Sequence, residues 1–429
     1  MRRVLLFSHT TGYQLRAFND AAEALGIELV FATDRCHKLD DPWQDRAIPV
    51  RFHEVEASVD AIVARAGQYP VDGVIAVGDR PVVLAARAAA ALDLPWHPVA
   101  GAQVATDKRR SRAALMKAGL PSPHFAVVPV HEMAGSAAAV MASYPCVLKP
   151  VGLSGSRGVI RANNADEFAA AFNRIRALLA RPEVRAARSG LEDQILVEDY
   201  VAGYEFAIEG VMTEGALEIF ALFDKPDPLE GPFFEETIYV TPSRLGIVSQ
   251  AAIADHIHQA CQAIGLWHGP VHAECRVAAD GAVYVLEVAA RPIGGLCSRV
   301  LTFEGARGGG LRQGPERSLE EVLLRHAVGD SLEGWSRDRA AAAVMMIPIP
   351  SRGMYKGVTG EREARAVAGV TDLRITAKAG QLLETLPEAG SYLGFIFAKG
   401  RSPADAETAV RTAHTKLSFA ISRELYCLP

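Results

Sequence analysis

Cysteine is scarce in this 429-residue chain: six thiols, at positions 36, 146, 261, 275, 297 and 427, with no CxxC pair and no zinc-ligand spacing. Scattered thiols of this kind suit a reducing compartment and act as packing residues, so neither a disulfide scaffold nor a redox thiol centre is expected. Long apolar runs are missing as well. The opening MRRVLLFSHTTG has only Val4 to Phe7 as an apolar stretch, short of the roughly 7–15 residues of a signal-peptide core, and nothing approaches the ~18 of a membrane helix. A cytoplasmic protein with no membrane partner is the expectation. Charge of one sign is not in excess either: 45 Lys plus Arg stand against 50 Asp plus Glu, net −5, with an isoelectric point near 6.2. No basic field gathers nucleic acid, which drops out as a partner. What is present is 49% hydrophobic residues against 22% charged, enough for several cores, and disorder is excluded. At roughly 150 residues per domain the length suggests about three.

The first hundred residues alternate short apolar runs with helical stretches, the pattern of a parallel sheet flanked by helices. Strands are expected at 4–8, 28–32 and 74–77 and helices at 13–25 and 82–92, a small Rossmann-like unit. Its loops at 8–12 and 78–79 fall where open α/β sheets place ligands, but neither carries GxGxxG. At Asp107 a charged helix begins, ends at Gly119 and meets Pro121 and Pro123, which marks a boundary near residue 105. Strand-like runs at 146–149, 195–198, 206–212, 271–277 and 283–288 indicate an α+β middle domain. The glycine-rich FEGARGGGLRQG after Arg291 reads as a mobile loop. A helix at 319–326 and strands at 343–349 and 392–398 complete a third domain, giving divisions of 1–105, 106–310 and 311–429.

Three constellations carry chemistry. Lys149 ends a strand and leads into a loop with Gly152, Ser154, Gly155, Ser156 and Gly158, whose backbone N–H groups and hydroxyls could approach phosphates. It is not a Walker A loop, because the lysine precedes the glycines, and a plain hairpin turn accounts for the glycines equally well. In VEDYVAGYEF a strand runs into a turn beside Glu198, Val201 and Glu205; the turn backbone could pair with an adenine edge and Glu205 with ribose hydroxyls, against the ordinary reading of solvated acids. Third, 269–277 and 283–291 around an Ala-Ala-Asp-Gly turn read as a hairpin that sets Glu274 beside Glu287 among apolar residues. Paired carboxylates in such surroundings want a cation, and hard oxygen ligands suit Mg²⁺. Arg291 brings a guanidinium fork to the same end. His256 and His258, two apart on a predicted helix, face different ways and make no metal site.

The ordered set Lys108, Lys149, the Gly-Ser loop, Glu198 with Glu205, Glu274, Glu287 and Arg291 resembles the ATP-grasp superfamily of carboxylate-amine ligases across roughly residues 107 to 300. The resemblance implies a Rossmann-like preATP-grasp domain, a two-lobed ATP-grasp domain and a C-terminal closing domain, a mixture of α/β and α+β architecture. It also implies roles. Lys108 and Lys149 would contact the ATP phosphates, Ser154 to Gly158 would cover the γ-phosphate, and Glu198 and Val201 would face adenine. Glu205 would hold ribose, Glu274 and Glu287 would hold Mg²⁺, and Arg291 would stabilise an acyl phosphate.

Many members carry Asn two residues after the second metal glutamate, where this chain has Ala289. The bacilysin-type L-amino acid ligases resemble it in this E-x-A-A-R arrangement. By that resemblance Glu236 meets a substrate ammonium, Tyr239 takes a place held there by His, and Gly294 and Gly295 line the acceptor pocket. Gly295 stands where a bulky Trp is usual, so a wall is expected to be missing and a large acceptor admitted. Lys225 sits in a Pro-rich loop, FDKPDPLEGP, that could close over the site, but a solvated lysine is the expectation. The implied activity is ADP-forming coupling of a small-molecule carboxylate to an amine; a homodimer is admitted but not required. The same ATP apparatus would also serve a carboxylase, a formyl-phosphate transferase or, given Ala289, a pseudoenzyme.

Overall fold

The computed structural model describes residues 1–9, 12, 14–35, 47–138, 143–305 and 316–422. Tyr13, Cys36, Cys427 and residues 306–314 of the glycine-rich stretch lie outside them. The first unit consists of β1 (Arg3–Ser8), α1 (Leu15–Leu25), β2 (Glu28–Thr33), β3 (Ile48–Pro49), α2 (Val55–Gln68), β4 (Gly73–Ala76) and α3 (Val82–Ala91). Its strands pair in parallel in the order β3-β2-β1-β4, as expected of a Rossmann-like unit. β1 and β4 are buried along nearly their whole length, which is why both read as continuous apolar runs. Gly78 and Asp79 follow β4 at the carboxyl edge of the sheet.

Through α4 (Val99–Ala105) and α5 (Lys108–Lys117) the chain passes to the next unit. Asp107 caps α5, its carboxylate accepting from the N–H groups of Arg109 and Arg110. A small lobe follows, made of β5 (Phe125–Pro129), α6 (Ala134–Ala138), β6 (Cys146–Pro150), β7 (Ile160–Ala162), α7 (Ala165–Leu179), α8 (Pro182–Arg185) and β8 (Gln194–Asp199). Its antiparallel sheet, ordered β5-β8-β6-β7, shares a core with Phe168, Phe172 and Ile175 of α7.

The large lobe contains β9 (Tyr204–Thr213), β10 (Ala216–Asp224), β11 (Ile238–Thr241), α9 (Ile247–Ile264), β12 (Gly269–Val277) and β13 (Val283–Ala289). The chain continues through β14 (Thr302–Glu304), β15 (Arg317–Ser318), α10 (Leu319–Ala327), β16 (Ser336–Arg337) and β17 (Ala341–Ile347). It ends in β18 (Gly353–Thr359), α11 (Glu361–Arg365), β19 (Val370–Ile375), β20 (Leu382–Leu383), β21 (Gly394–Gly400), α12 (Pro403–His414) and β22 (Ser418–Ser422). One eight-stranded sheet, ordered β13-β12-β9-β10-β11-β17-β21-β19, joins the large lobe to the C-terminal region. Part of the region after residue 310 therefore continues that sheet, while β18, β20 and β22 form a three-stranded sheet of their own. That part extends the sheet beyond β11 and packs α12 on β17 and β21, while α10 returns to α1 and β4 of the first unit. No helix among the described residues is long and apolar enough to cross a membrane. Cys146, Cys261, Cys275 and Cys297 are buried and unbridged, in keeping with packing roles.

Candidate active site

A cavity of about 360 Å³ opens where the first unit, the small lobe, the β12–β13 hairpin and the C-terminal region meet. Of the site residues anticipated above, all but Gly152 and Gly158 line it. Gly158 lies outside because its N–H donates to the Pro387 carbonyl at 2.8 Å, and that bond leaves it none to offer a phosphate. Its neighbours behave differently. Gly155 and Ser156 hold consecutive left-handed conformations, φ +64° and +55°, which turn the loop over the cavity. The loop is fixed at both ends: the Lys108 ammonium donates to the Leu153 carbonyl at 2.7 Å and Arg157 Nε to the Glu388 carbonyl at 2.7 Å.

Beneath the loop lies a buried charge cluster. Lys149 contacts the Glu198 carboxylate, whose other oxygen accepts from Arg112 Nε at 2.8 Å. Arg112, 2% exposed, also donates to the carbonyls of Val285 and Leu286 at 2.8 and 2.9 Å, tying α5 and β8 to β13. Burial alone would raise the Glu198 carboxyl, but Arg112 and Lys149 hold it down to about 2. The Glu198 side chain, on the wall of the cavity, is thus a counter-charge for Lys149. Arg112 was not foreseen. Its position four residues after Lys108 puts both on one face of α5 and was the available signal.

Next along the cavity, Arg276 donates to the Val201 carbonyl at 2.7 Å and to Glu205 at 2.9 Å. Its guanidinium lies over the rings of Tyr200 and Phe234, at 5.3 and 5.5 Å from their centroids. Glu205 is shared with Lys225, and here the largest departure from expectation appears. Lys225 is 5% exposed, its ammonium 2.8 Å from Glu205, 2.5 Å from Glu236 and 3.0 Å from Glu274. It directly follows β10, whose last residue, Asp224, is held by Ser243 and Arg244. This anchoring turns the lysine inward, where three carboxylates outweigh the cost of burying it. The expected solvated loop lysine is the centre of the site.

Glu236 has both oxygens engaged, one by Lys225 and the other by the Tyr239 hydroxyl at 3.0 Å. Burial, with the Glu274 carboxylate beside it, pushes Glu236 up to about 7. Glu274 and Glu287 are cross-strand partners on the expected hairpin, brought opposite each other by a bulge between Glu274 and Cys275. Glu287 lies 3.5 Å from the Lys108 ammonium. His272, two residues before Glu274, places Nδ1 3.1 Å from Glu209, which is fully buried and also accepts the Ile293 N–H. Burial opposes charging of that imidazole, but Glu209 and Glu274 pull it up to about 9.

Arg291 meets Asp79 of the first unit through a two-point contact, 2.8 and 3.2 Å. Burial would raise Asp79, yet Arg291 holds it below the usual carboxylate range. The loop after β4, expected from its place at the strand ends to lie near a ligand, thus reaches the site through Asp79. At the far end Gly295 has φ +63°, and a Cβ there would lie 3.0 Å from the Phe395 ring. The expected missing wall is corrected: Phe395 of β21 fills the place, with Tyr392 edge-on to it at 6.1 Å. The cavity thus has one end rich in carboxylates and ammonium groups, and another formed by Phe395, Tyr392, Met346 and Ile293.

Comparison with known proteins agrees with this arrangement. The ATP-grasp domain family matches residues 142–300, an ATP-grasp N-terminal domain 19–96, and L-amino acid ligase C-terminal domain 2 residues 345–422. Alanine–anticapsin ligase of Bacillus subtilis is 29% identical over 248 residues, 55% of this chain and 52% of that protein. D-alanine–D-alanine ligase of Stutzerimonas stutzeri is 27% identical over 237 residues, 54% of this chain and 66% of its own length. The match thus spans about half the length of the alanine–anticapsin ligases. The crystal structure of an L-amino acid ligase from Bacillus licheniformis superposes with a TM-score of 0.81 at 26% identity, covering 99% of both chains.

Proposed function

Because the chain is an ATP-grasp protein whose closing domain is of the L-amino acid ligase type, we propose that it is a cytoplasmic, ADP-forming carboxylate-amine ligase with an L-amino acid as one substrate. A carboxylate oxygen attacks the γ-phosphorus of ATP, the bond to the β,γ-bridging oxygen breaks and ADP departs. The amine nitrogen then attacks the acyl carbon, the carbon–oxygen bond to phosphate breaks, and an amide and inorganic phosphate leave with loss of the amine proton. No side-chain nucleophile is needed.

The observation that carries this reading is the convergence of Lys108, Lys149 and the Gly155–Ser156 turn with Glu274, Glu287 and Arg291 on one cavity. Lys149, held against Glu198, presents fixed positive charge to the transferring phosphoryl group, and Lys108 does so beside Glu287. The turn at Val201 on the cavity wall offers backbone groups to an adenine edge, with Glu205 for a ribose. The Arg291 fork, oriented by Asp79, faces the charge that builds on the tetrahedral carbon. Glu274 and Glu287, opposed on adjacent strands and hard in character, suit Mg²⁺. When bound, that ion neutralises phosphate charge.

The test is release of phosphate from ATP across a matrix of paired amino acids and small acids, with products identified by mass. Amide formation that needs Mg²⁺ and is nearly abolished in a folded Glu287→Gln variant is the expected result. ADP release that depends on bicarbonate or formate, or ATP binding with no substrate-stimulated turnover, overturns it.

A further inference from the structure

Oxygens of Glu205, Glu236 and Glu274 all lie within 4.8 Å of one another. That spacing brackets a single small cation: at metal–oxygen distances of roughly 2.0–2.1 Å, opposed ligands of Mg²⁺ stand about 4.2 Å apart. The space between the three is filled by the Lys225 ammonium, 2.5 to 3.0 Å from each. We propose, on the ligase reading above, that Lys225 is a tethered cation that occupies a divalent-ion position and so limits the metal ions of the site to the Glu274–Glu287 side.

The surroundings bear this out residue by residue. Glu205 has Arg276 as a second positive partner at 2.9 Å, and Glu274 has His272 at 3.7 Å. Glu236 has Lys225 as its one positive partner among the described residues, its other contacts being the Tyr239 hydroxyl and the Glu274 carboxylate. A carboxylate so buried needs a cation, and the chain provides one of its own at a fixed place. The Lys225 side chain is 2% exposed and lies 5.1 Å from the centre of the Tyr239 ring, which walls it on a further side. An ammonium has one positive charge and no further ligand positions for phosphate, whereas a divalent ion would bring both. Lys225 is accordingly a positioning residue: it fixes Glu274 for the ion shared with Glu287, and Glu236 beside the apolar end of the cavity.

The experiment compares the full-length parent, Lys225→Ala and Lys225→Arg. Mn²⁺ binding is counted by electron paramagnetic resonance with and without a non-hydrolysable ATP analogue, and melting temperature is followed against millimolar Mg²⁺. Lys225→Ala should bind one more Mn²⁺ per chain than the parent without nucleotide, and its melting temperature should climb by several degrees with Mg²⁺. The parent and Lys225→Arg should show neither effect. Should Lys225→Ala not fold in metal-free buffer, recovery on refolding with Mg²⁺ supports the proposal, and equal failure with and without Mg²⁺ overturns it. An unchanged Mn²⁺ count with no Mg²⁺-dependent melting also overturns it. Absence of nucleotide-dependent Mn²⁺ binding in the parent counts against the ligase reading alone, because the nucleotide-free arms still decide the role of Lys225.

Discussion

Replacing Arg112 by Leu removes four hydrogen bonds at once: 2.8 and 3.4 Å to Glu198, and 2.8 and 2.9 Å to the carbonyls of Val285 and Leu286. Glu198 keeps Lys149, so its charge is not abandoned, but two buried carbonyls lose charged donors. Breaking a buried pair from one side costs about 3–5 kcal/mol, and losing hydrogen bonds to a charged group about 1.5–3 each, so a loss near 4 kcal/mol is expected. For a chain of this length that corresponds to a melting-temperature drop of about 4 °C. The dependence on pH is more discriminating. Glu198 titrates near 2 when folded, against 4.5 as a free side chain, so its stabilisation, about 3 kcal/mol at roughly 1.4 kcal/mol per pH unit, is complete above pH 4.5 and disappears as pH falls towards 2. Much of it comes from Arg112. The gap in melting temperature between parent and variant should therefore be widest at pH 7 and clearly narrower at pH 3. A gap under 2 °C at pH 7, or one that does not narrow, refutes the reasoning.

Arg291→Lys keeps the charge and loses the two-point contact with Asp79; turnover should fall roughly 100-fold with the KM for ATP near its parent value, and a collapse of ATP affinity at normal saturating turnover would contradict the role given to Arg291. Phe395→Leu opens the apolar end beside Gly295, so kcat/KM should move about tenfold towards a bulkier substrate side chain; an unchanged substrate profile would remove Phe395 from the pocket. His97 accepts the Trp267 N–H and pairs with the Pro270 carbonyl, and burial lowers it to about 4, while burial lowers His326 to about 3. Both imidazoles gain their protons chiefly on unfolding, so stability should be full above pH 6.5 and decline between 6.5 and 4; His97→Gln should flatten that decline, measured by thermal melts across the range. Arg174→Ala breaks a two-point contact with Glu388 at 2.6 and 2.8 Å that ties the small lobe to the segment holding Gly158; the KM for ATP should rise, and a change confined to the amine substrate would argue against it.

Where a local pattern carried the information, the sequence was a good guide. The Ala-Ala-Asp-Gly turn between 277 and 283 marks the hairpin and brings Glu274 close to Glu287, but its register alone would oppose Glu274 to Leu286; a bulge between Cys275 and Glu274 shifts the pairing to Glu287. β1 and β4, buried on both faces, announced themselves as unbroken apolar runs. Lys225 had no such signal, because its three partners lie on different segments and a lysine among prolines looks like any solvated loop residue. Gly295 misled for a related reason: a missing side chain reads as space until β21, a hundred residues on, brings Phe395 against it. The small-lobe glycines divided in the same way, Gly155 turning the loop over the cavity and Gly158 spending its N–H on Pro387.

The pairing of β11 with β17 has a consequence for anyone recombining this chain with its relatives. Four residues, Ile238 to Thr241, match Met345 to Ala342 across the seam. Ile238 and Val240 belong to the C-terminal core, whereas Tyr239 faces the cavity. A graft of a foreign closing domain that slipped by a single residue would press the Tyr239 phenol into oil and deliver an isoleucine or valine to the carboxylates. A graft that failed to pair would leave a bare apolar edge, open to the next molecule in solution. An exchange in this architecture therefore travels with the seam: a donor domain must bring its own β11 counterpart, and with it the residues that face the cavity.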